Sequence, residues 1–282
     1  MDLDSPGVAP IDMGHRTFLA QSHAVIDPMQ VAATQFADLP VEPLVPRQAP
    51  ARLRQPPLLV ALHSLPWQQR LELLDRADVQ QRERGRPLFC ALLASDEPAR
   101  VRSHLLHLMH PLRPGSGRVW FRIHDPRVFR HLRWLLSPAQ MAGVMGPITA
   151  WTWHESLGGS WRTHARPAVS AQPGLRLSPE QWNSLGRIGD INTCLRDLAE
   201  STGDPGSQRL PALIECLEEA QVLGIHSPQD LSLYARQRLG HGRGFHRHPQ
   251  VKARLQRVSA EGMSYLMACR LDRWDVPQGD VA

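Results

Sequence analysis

The sequence predicts an α/β N-terminal lobe, with a small mixed sheet flanked by helices, and an all-helical C-terminal lobe. Two observations lead to this fold class. In the first half, short apolar runs at 58–62 and 87–94 alternate with stretches of helical periodicity, as in an α/β layer with a partly parallel sheet. From residue 178 onward the sequence shows amphipathic stretches that begin at capping residues, which is typical of packed helices. With 282 residues, 42% of them hydrophobic, the chain is long enough to bury a sizeable core.

The N-terminal lobe is predicted to extend over residues 17–155, after a flexible leader at 1–16. Its proline-rich part is expected to be extended, because proline restricts the backbone and lacks an N–H donor. The predicted elements, in order, are a strand at 17–26, an extended segment at 38–57, a strand at 58–62, a helix at 66–84, a strand at 87–94 and a helix at 97–109.

The most informative stretch lies at 118–135. From 119 to 124 the side chains alternate with the two-residue period of a half-buried strand. The residues expected on one face are Val119, Phe121 and Ile123, and those on the other are Trp120, Arg122 and His124. Asp125 then stands at a helix N-cap position and Pro126 at the first helical residue. The pattern therefore predicts a strand, a capped turn and a helix.

The helix after Asp125 is predicted to carry arginines away from its apolar stripe. The stripe consists of Val128, Leu132 and Leu135. The arginines at three-residue spacing are Arg127, Arg130 and Arg133. Arg130 is expected to be exposed, so its charge reversal should change stability by no more than about 0.5 kcal/mol. Arg127 lies close to the cap, where a structural role is the alternative.

The second half of the chain is predicted to contain a linker at 156–177 and a helical lobe at 178–282. Glycine, proline and serine interrupt the pattern in the linker. Ser178, Pro179 and Gln181 form a capping-box pattern at the start of the first helix of the lobe. Later helices are expected to start at Leu210, at Ser227 and near Pro249.

The sequence contains no convincing active site, so the chain is predicted not to be an enzyme and to hold neither cofactor nor metal. His104, His107 and His110 lie three apart, but no carboxylate or cysteine shares their spacing. The HExxH, GxSxG and Walker patterns are missing. Asp125 with His124 or His154 is a conceivable acid–base set, although the N-cap explains Asp125 more simply.

Cysteine usage and hydropathy predict a cytoplasmic protein without a membrane partner. The four cysteines are scattered and contain no CxxC pair, as expected for buried thiols. The acidic start MDLDSPGVAP lacks the apolar segment of a signal peptide. No apolar run approaches the roughly 20 residues that a membrane-spanning helix needs.

The net charge of +5 is unevenly distributed. Residues 100–133 contain eight arginines and one acid, Asp125. Residues 231–260, which include the loop HGRGFHRH, contain seven basic residues and no acid. These stretches indicate either a surface for an acidic partner, protein or nucleic acid, or a solvated arginine-rich face.

The segment FRIHDPRVFRHL, followed by SPAQ and GPITAWTW, resembles the signature of the effector chaperones, or adaptors, of the bacterial type VI secretion system. In that family an arginine-bearing strand leads into an Asp-Pro-Arg-Val turn and helix, and a Phe-Gly-Pro-like segment with tryptophan follows. Here Met145 replaces the aromatic residue before Gly146, and His124 stands where the family usually has tyrosine. The resemblance assigns a structural role to Asp125, Pro126, Gly146 and Pro147.

The resemblance implies a cytoplasmic adaptor that binds a toxin effector encoded nearby and helps to load it onto the spike (VgrG-like) protein. Such a role requires no catalytic group and no cofactor. Two alternatives from other classes are a nucleic-acid-binding protein that uses basic helices and tryptophans, and a hydrolase with an unrecognised site. The residues expected to contact a partner are Trp120, Arg122, Arg127, Arg130, Arg133, Trp151 and Trp153.

Overall fold

The structure is a computed structural model that describes residues 8–46, 55–155, 159–172, 174–202 and 210–272. The chain divides near residue 185 into two compact units. The sheet unit comprises the described residues up to 185, and the helical unit comprises those from 186 onward. The predicted fold class is therefore confirmed, with an N-terminal sheet flanked by helices and an all-helical C-terminal part.

Seven strands form one sheet, in the order β1-β9-β8-β5-β2-β4-β3. Every strand pairing that the structure describes is antiparallel, where the sequence pattern favoured a partly parallel, mixed sheet. A separate hairpin joins β6 and β7. The strands are β1 (Val8–Ile11), β2 (His23–Ile26), β3 (Val41–Pro43), β4 (Leu58–Val60), β5 (Ala91–Ser95), β6 (Leu112–Arg113), β7 (Gly117–Arg118), β8 (Ile148–Glu155) and β9 (Ser160–Ala165).

Helices cover both faces of this sheet. They are α1 (His15–Leu19), α2 (Trp67–Arg84), α3 (Pro98–Leu108), α4 (Pro126–Leu135), α5 (Pro138–Met145) and α6 (Pro179–Gly186). Leu92 belongs to a buried cluster with Leu73 of α2. Its neighbour Leu93 points to the other face of the sheet and pairs with Trp151 of β8. On that face Trp151 stacks on Phe129 of α4, with ring centroids 4.3 Å apart. The two faces thus pack against α2 and α4 respectively.

Residues 119–124 are not a strand, although their side chains alternate. Their backbone follows the end of α3 instead, because the N–H groups of Val119 and Phe121 donate to the carbonyls of Pro111 (3.1 Å) and Met109 (2.9 Å). Ile123 is fully buried, but His124, expected on the other face, is buried as well. The alternation therefore reflects the buried apolar side chains Phe121 and Ile123, which hold an irregular segment in place.

Three further expectations about the sheet unit are wrong. Strand β1 lies in the predicted leader and strand β9 in the predicted linker, and the two pair with each other along four residues. Helix α1 and strand β2 divide the stretch predicted as one strand at 17–26. Pairing with neighbouring strands decides the conformation of these short segments, and a local sequence pattern carries no information about that pairing.

Helix α6 belongs to the sheet unit, although its sequence was assigned to the helical lobe. Ser137 and Ser178 start α5 and α6 with capping boxes that use Gln140 and Gln181. The two glutamine side chains donate to each other's Oε1 atoms at 3.0 and 2.9 Å. Gln181 also donates to the carbonyl of Leu135 (2.8 Å), so its amide ties α6 to α4 and α5.

The helical unit contains α7 (Ile188–Thr202), α8 (Leu210–Val222), α9 (Pro228–His241), α10 (Pro249–Glu261) and α11 (Tyr265–Leu271). Ser227 caps α9 by accepting from the N–H of Asp230 (3.1 Å), as its sequence predicts. Glu219 of α8 accepts hydrogen bonds from Tyr234, Arg238 and His246. Burial alone raises the pKa of Glu219, but these partners outweigh burial and hold it below its usual value.

Candidate functional site

The candidate site is the turn at Asp125, where irregular chain becomes α4. Asp125 is buried and caps the helix, because its Oδ1 accepts from the N–H of Arg127 at 3.0 Å. The Arg127 guanidinium donates to the same carboxylate through Nε (3.0 Å) and Nη2 (2.8 Å). Burial alone raises the pKa of Asp125, but the hydrogen bonds and charge of Arg127 outweigh burial and lower it. The predicted cap is confirmed.

A second buried carboxylate, Asp27, lies beside the turn. It follows β2 and accepts from the N–H of Met29 (3.0 Å) and the amide of Gln30 (3.1 Å). Arg122 joins the two carboxylates, since its Nη2 lies 2.9 Å from Asp27 Oδ2 and 3.5 Å from Asp125 Oδ2. Arg122 therefore connects the end of a central strand to the start of α4.

His124 lies buried beside these charges. Burial, followed by the charge of Arg122, lowers its pKa to about 4, although Asp27 and Asp125 act in the opposite direction. The imidazole is therefore neutral at pH 7. Its Nδ1 atom has no hydrogen-bond partner among the residues that the structure describes.

The solvent side of the turn is formed by long side chains. The Arg127 side chain is 57% exposed and the Arg122 side chain 37%. Met29 is 65% exposed and contacts Arg122, whose Nη1 lies 3.9 Å from its sulfur. Trp120, two residues before Arg122, is partly exposed. We call Met29, Trp120, Arg122 and Arg127 the turn surface.

The two tryptophans of β8 that were expected to contact a partner are part of the packed interior. Trp151 and Trp153 are buried against Phe129 of α4, with ring centroids 4.3 and 5.4 Å away. Arg133 lies over the Trp153 ring, 5.9 Å from its centroid. These positions correct the expectation of a tryptophan surface, because β8 runs beneath α4 and its side chains fill that contact.

Arg130 is also buried, and the expectation that it is exposed is wrong. It is only 8% exposed and donates to Glu155 at the end of β8 through Nη1 at 2.8 Å. Its Nε contacts His131 Nε2 at 3.3 Å. A three-residue spacing places arginines on one helix face, but the neighbouring strand decides whether that face meets water.

Gly146 and Pro147 shape the connection from α5 to β8. Gly146 has φ +52°, and a Cβ atom there would lie 2.4 Å from the His104 ring. His104 Nε2 lies 2.8 Å from the carbonyl of Val144, so the imidazole is fixed in this packing. The Gly146 carbonyl accepts from Arg166 (2.7 Å). Only glycine can adopt this positive φ readily and also lie this close to the His104 ring.

The remaining candidates for a metal or acid–base site are His154 and the α3 histidines with His110. Within the described ranges, no group of three or more histidine, cysteine, aspartate or glutamate side chains has the spacing of a metal site. His154 packs edge-on against Trp161, with ring centroids 5.4 Å apart.

Sequence reasoning missed three residues that matter at the site, namely Asp27, Met29 and Glu155. Each lies far from the Asp125 turn in sequence, so a local motif contains no trace of it. A partial signal was present for Asp27, because a buried strand ends directly before it and proline follows. Carboxylates that bond neighbouring N–H groups are frequent at such strand ends.

One family model matches the chain, over residues 43–143, and its description is "Domain of unknown function (DUF4123)". Domains of this description are known generally in adaptor or chaperone proteins of type VI secretion effectors. The matched region runs from β3 to α5 and includes the Asp125 turn. No curated protein and no solved structure matches the chain. None of the described helices is long and apolar enough to cross a membrane.

Proposed function

We propose that this protein is a bacterial cytoplasmic adaptor that binds a type VI secretion toxin effector and helps to load it onto the spike protein. The observation that carries the proposal is the family match, which includes the Asp125 turn. Domains of that description occur in effector adaptors, and the turn motif of this chain resembles theirs. An adaptor needs a stable surface rather than a reactive group, and the turn consists of charges that are paired with one another.

The turn surface suits reversible binding of a protein client. Arginine, methionine and tryptophan are enriched in protein interfaces. Arg122 and Arg127 are held by Asp27 and Asp125, so little side-chain freedom remains to be lost on binding. We therefore propose that Met29, Trp120, Arg122 and Arg127 contact the client directly. Arg130, Arg133 and the buried tryptophans are excluded from this proposed contact, because they pack between α4 and β8.

The edges of the sheet favour binding through side chains over addition of a client strand. Pro10 lies in edge strand β1 and Pro43 in edge strand β3. Because the N–H of Leu44 donates inward to Pro57 (2.8 Å), the nitrogen of Pro43 is directed to the outer edge, where it has no hydrogen to donate. Val41 donates to Leu39 (2.9 Å). Proline on an edge strand hinders pairing with another chain.

Co-purification with the toxin encoded beside this gene tests the proposal. Tagged protein and toxin are expressed together, and we expect a stable complex that Met29→Glu weakens about tenfold or more, because it places a charge in the centre of the contact. The matched control is Val79→Glu on α2, which adds the same charge at another exposed apolar residue of the sheet unit and should leave the complex intact. A failure of wild-type protein to retain the toxin would contradict the adaptor function. Equal loss in both variants would exclude the turn surface as the contact.

A further inference from the structure

The basic stretch after α9 folds into a compact loop that the proposed site does not use. Helix α9 ends at His241, residues 245–247 form one turn of 3₁₀ helix, and α10 begins at Pro249. Gly242 and Gly244 have φ of +84° and +97°, which only glycine adopts readily and which permits this tight connection. We call Arg243, Arg247, His248 and Lys252 the basic loop.

Two side chains of the same stretch anchor the basic loop from within. Phe245 is buried, and its ring packs on Tyr234 (5.7 Å between centroids) and on His241 (5.4 Å). His246 lies 3.0 Å from Glu219 through its Nδ1. The backbone that carries the cations is thus fixed, so a partner would not need to order it on binding.

The side chains of the basic loop are directed to solvent. Arg243, Arg247, His248 and Lys252 are all exposed. Arg247 and Lys252 form no ion pair with any carboxylate that the structure describes. Arg243 meets Glu215 at 3.2 Å, but its side chain is 82% exposed, and such a pair contributes little to stability. His248 and Lys252 stand four residues apart at the start of α10, on neighbouring positions of one helix face. The positive end of the α10 dipole adds to this potential.

We infer that the basic loop is a docking surface for an acidic segment of a partner protein. The inference rests on the proposed function, since it names the chemistry of a second contact made by the same adaptor. Residues 186–282 contain as many acidic as basic residues, twelve of each, so the positive charge is local and does not extend over the unit. A nucleic-acid-binding surface is usually basic over a whole face and offers exposed aromatic rings for stacking. Phe245, the one phenyl ring between Gly242 and His248, is buried and cannot stack on a base, which favours a short carboxylate-rich peptide.

The test measures binding of a fluorescent twelve-residue peptide of alternating aspartate and serine to the full chain, by anisotropy. A peptide with asparagine in place of aspartate and a twelve-nucleotide oligothymidylate are the comparison probes. Arg247→Glu with Lys252→Glu should weaken binding of the acidic peptide about tenfold or more, because two attractions become repulsions. The matched control, Arg196→Glu with Arg270→Glu, reverses the same charge at exposed arginines of the same unit and should stay within about twofold.

Three results would overturn the inference. They are equal binding of the acidic and the asparagine peptide, equal weakening by both double variants, and tighter binding of oligothymidylate with the same sensitivity to the variants. Co-purification separates this inference from the proposed function. If wild-type protein retains the toxin while substitutions in the basic loop do not weaken peptide binding, only the inference fails. If the acidic peptide binds as expected and the toxin is not retained, the adaptor function fails alone.

Discussion

Replacing Asp125 by alanine removes the N-cap of α4 and one of the two buried carboxylates at the turn. Loss of a cap costs about 0.5–2 kcal/mol. The ion pair with Arg127 adds at most about 1 kcal/mol, because more than half of the Arg127 side chain is exposed. Arg122 keeps Asp27 as its counter-charge at 2.9 Å, so no cation is left buried and unpaired. The expected loss of stability is therefore about 0.5–3 kcal/mol.

Asp125→Ser separates the two contributions. Serine is as good an N-cap as aspartate but carries no charge, so this variant should recover about half of the loss. Urea unfolding followed by tryptophan fluorescence is the assay, because seven of the eight tryptophans lie at or before residue 182 and report on the sheet unit. A wild-type midpoint for Asp125→Ala would refute the anchoring role of the turn. Equal midpoints for the serine and alanine variants would refute the part assigned to the cap.

Two further predictions concern buried charges in the same unit. Arg130→Glu should cost about 3–5 kcal/mol in urea unfolding, because it places a second carboxylate beside Glu155 in a buried contact. The stability of the sheet unit should fall as pH decreases from about 6.5 to about 4, because burial lowers the pKa of His23, His124 and His164 to about 4. These imidazoles take up a proton at higher pH in the unfolded chain than in the folded chain, so lowering the pH below 6.5 favours unfolding. Between pH 6.5 and pH 4 the protonation of His124 alone lowers the free energy of unfolding by about 3 kcal/mol.

Matched controls exist for both of these predictions. Arg102→Glu makes the same charge reversal at an exposed pair with Glu42 and should cost less than about 1 kcal/mol. An equal cost at both arginines would contradict the buried role of Arg130. His124→Gln should remove its own part of the pH dependence and leave the parts due to His23 and His164, and His15→Gln at an exposed position is the matched control. A midpoint that is constant from pH 7 to pH 4 would show that the buried histidines are not held neutral.

The features that the sequence predicted correctly depend on neighbouring residues alone. Asp125 and Pro126 start α4, and Ser227 starts α9, because a cap and the helix that it caps lie within four residues. The long α2 follows its apolar spacing, and its C-cap Gly85 adopts the left-handed conformation. Such local signals also identified the organising turn of the candidate site.

The features that it missed depend on contacts between distant segments. A strand that is buried on both faces has the same continuous apolar sequence whether its neighbours are parallel or antiparallel, so the sequence does not determine strand direction. Strand β9 contains polar residues and becomes a strand by pairing with β8 on one side and β1 on the other. The burial of Arg130 follows from Glu155, 25 residues later. The membership of α6 in the sheet unit follows from the contact between Gln140 and Gln181.

Export of the neighbouring toxin tests the adaptor function most directly. Toxin is measured in the culture medium of a strain that lacks this protein, and of the same strain supplied with wild-type protein or with Met29→Glu. The account predicts that toxin remains in the cell without the protein, that wild-type protein restores export, and that Met29→Glu restores little of it although the variant is folded and present. Normal export from the strain that lacks the protein would contradict the account.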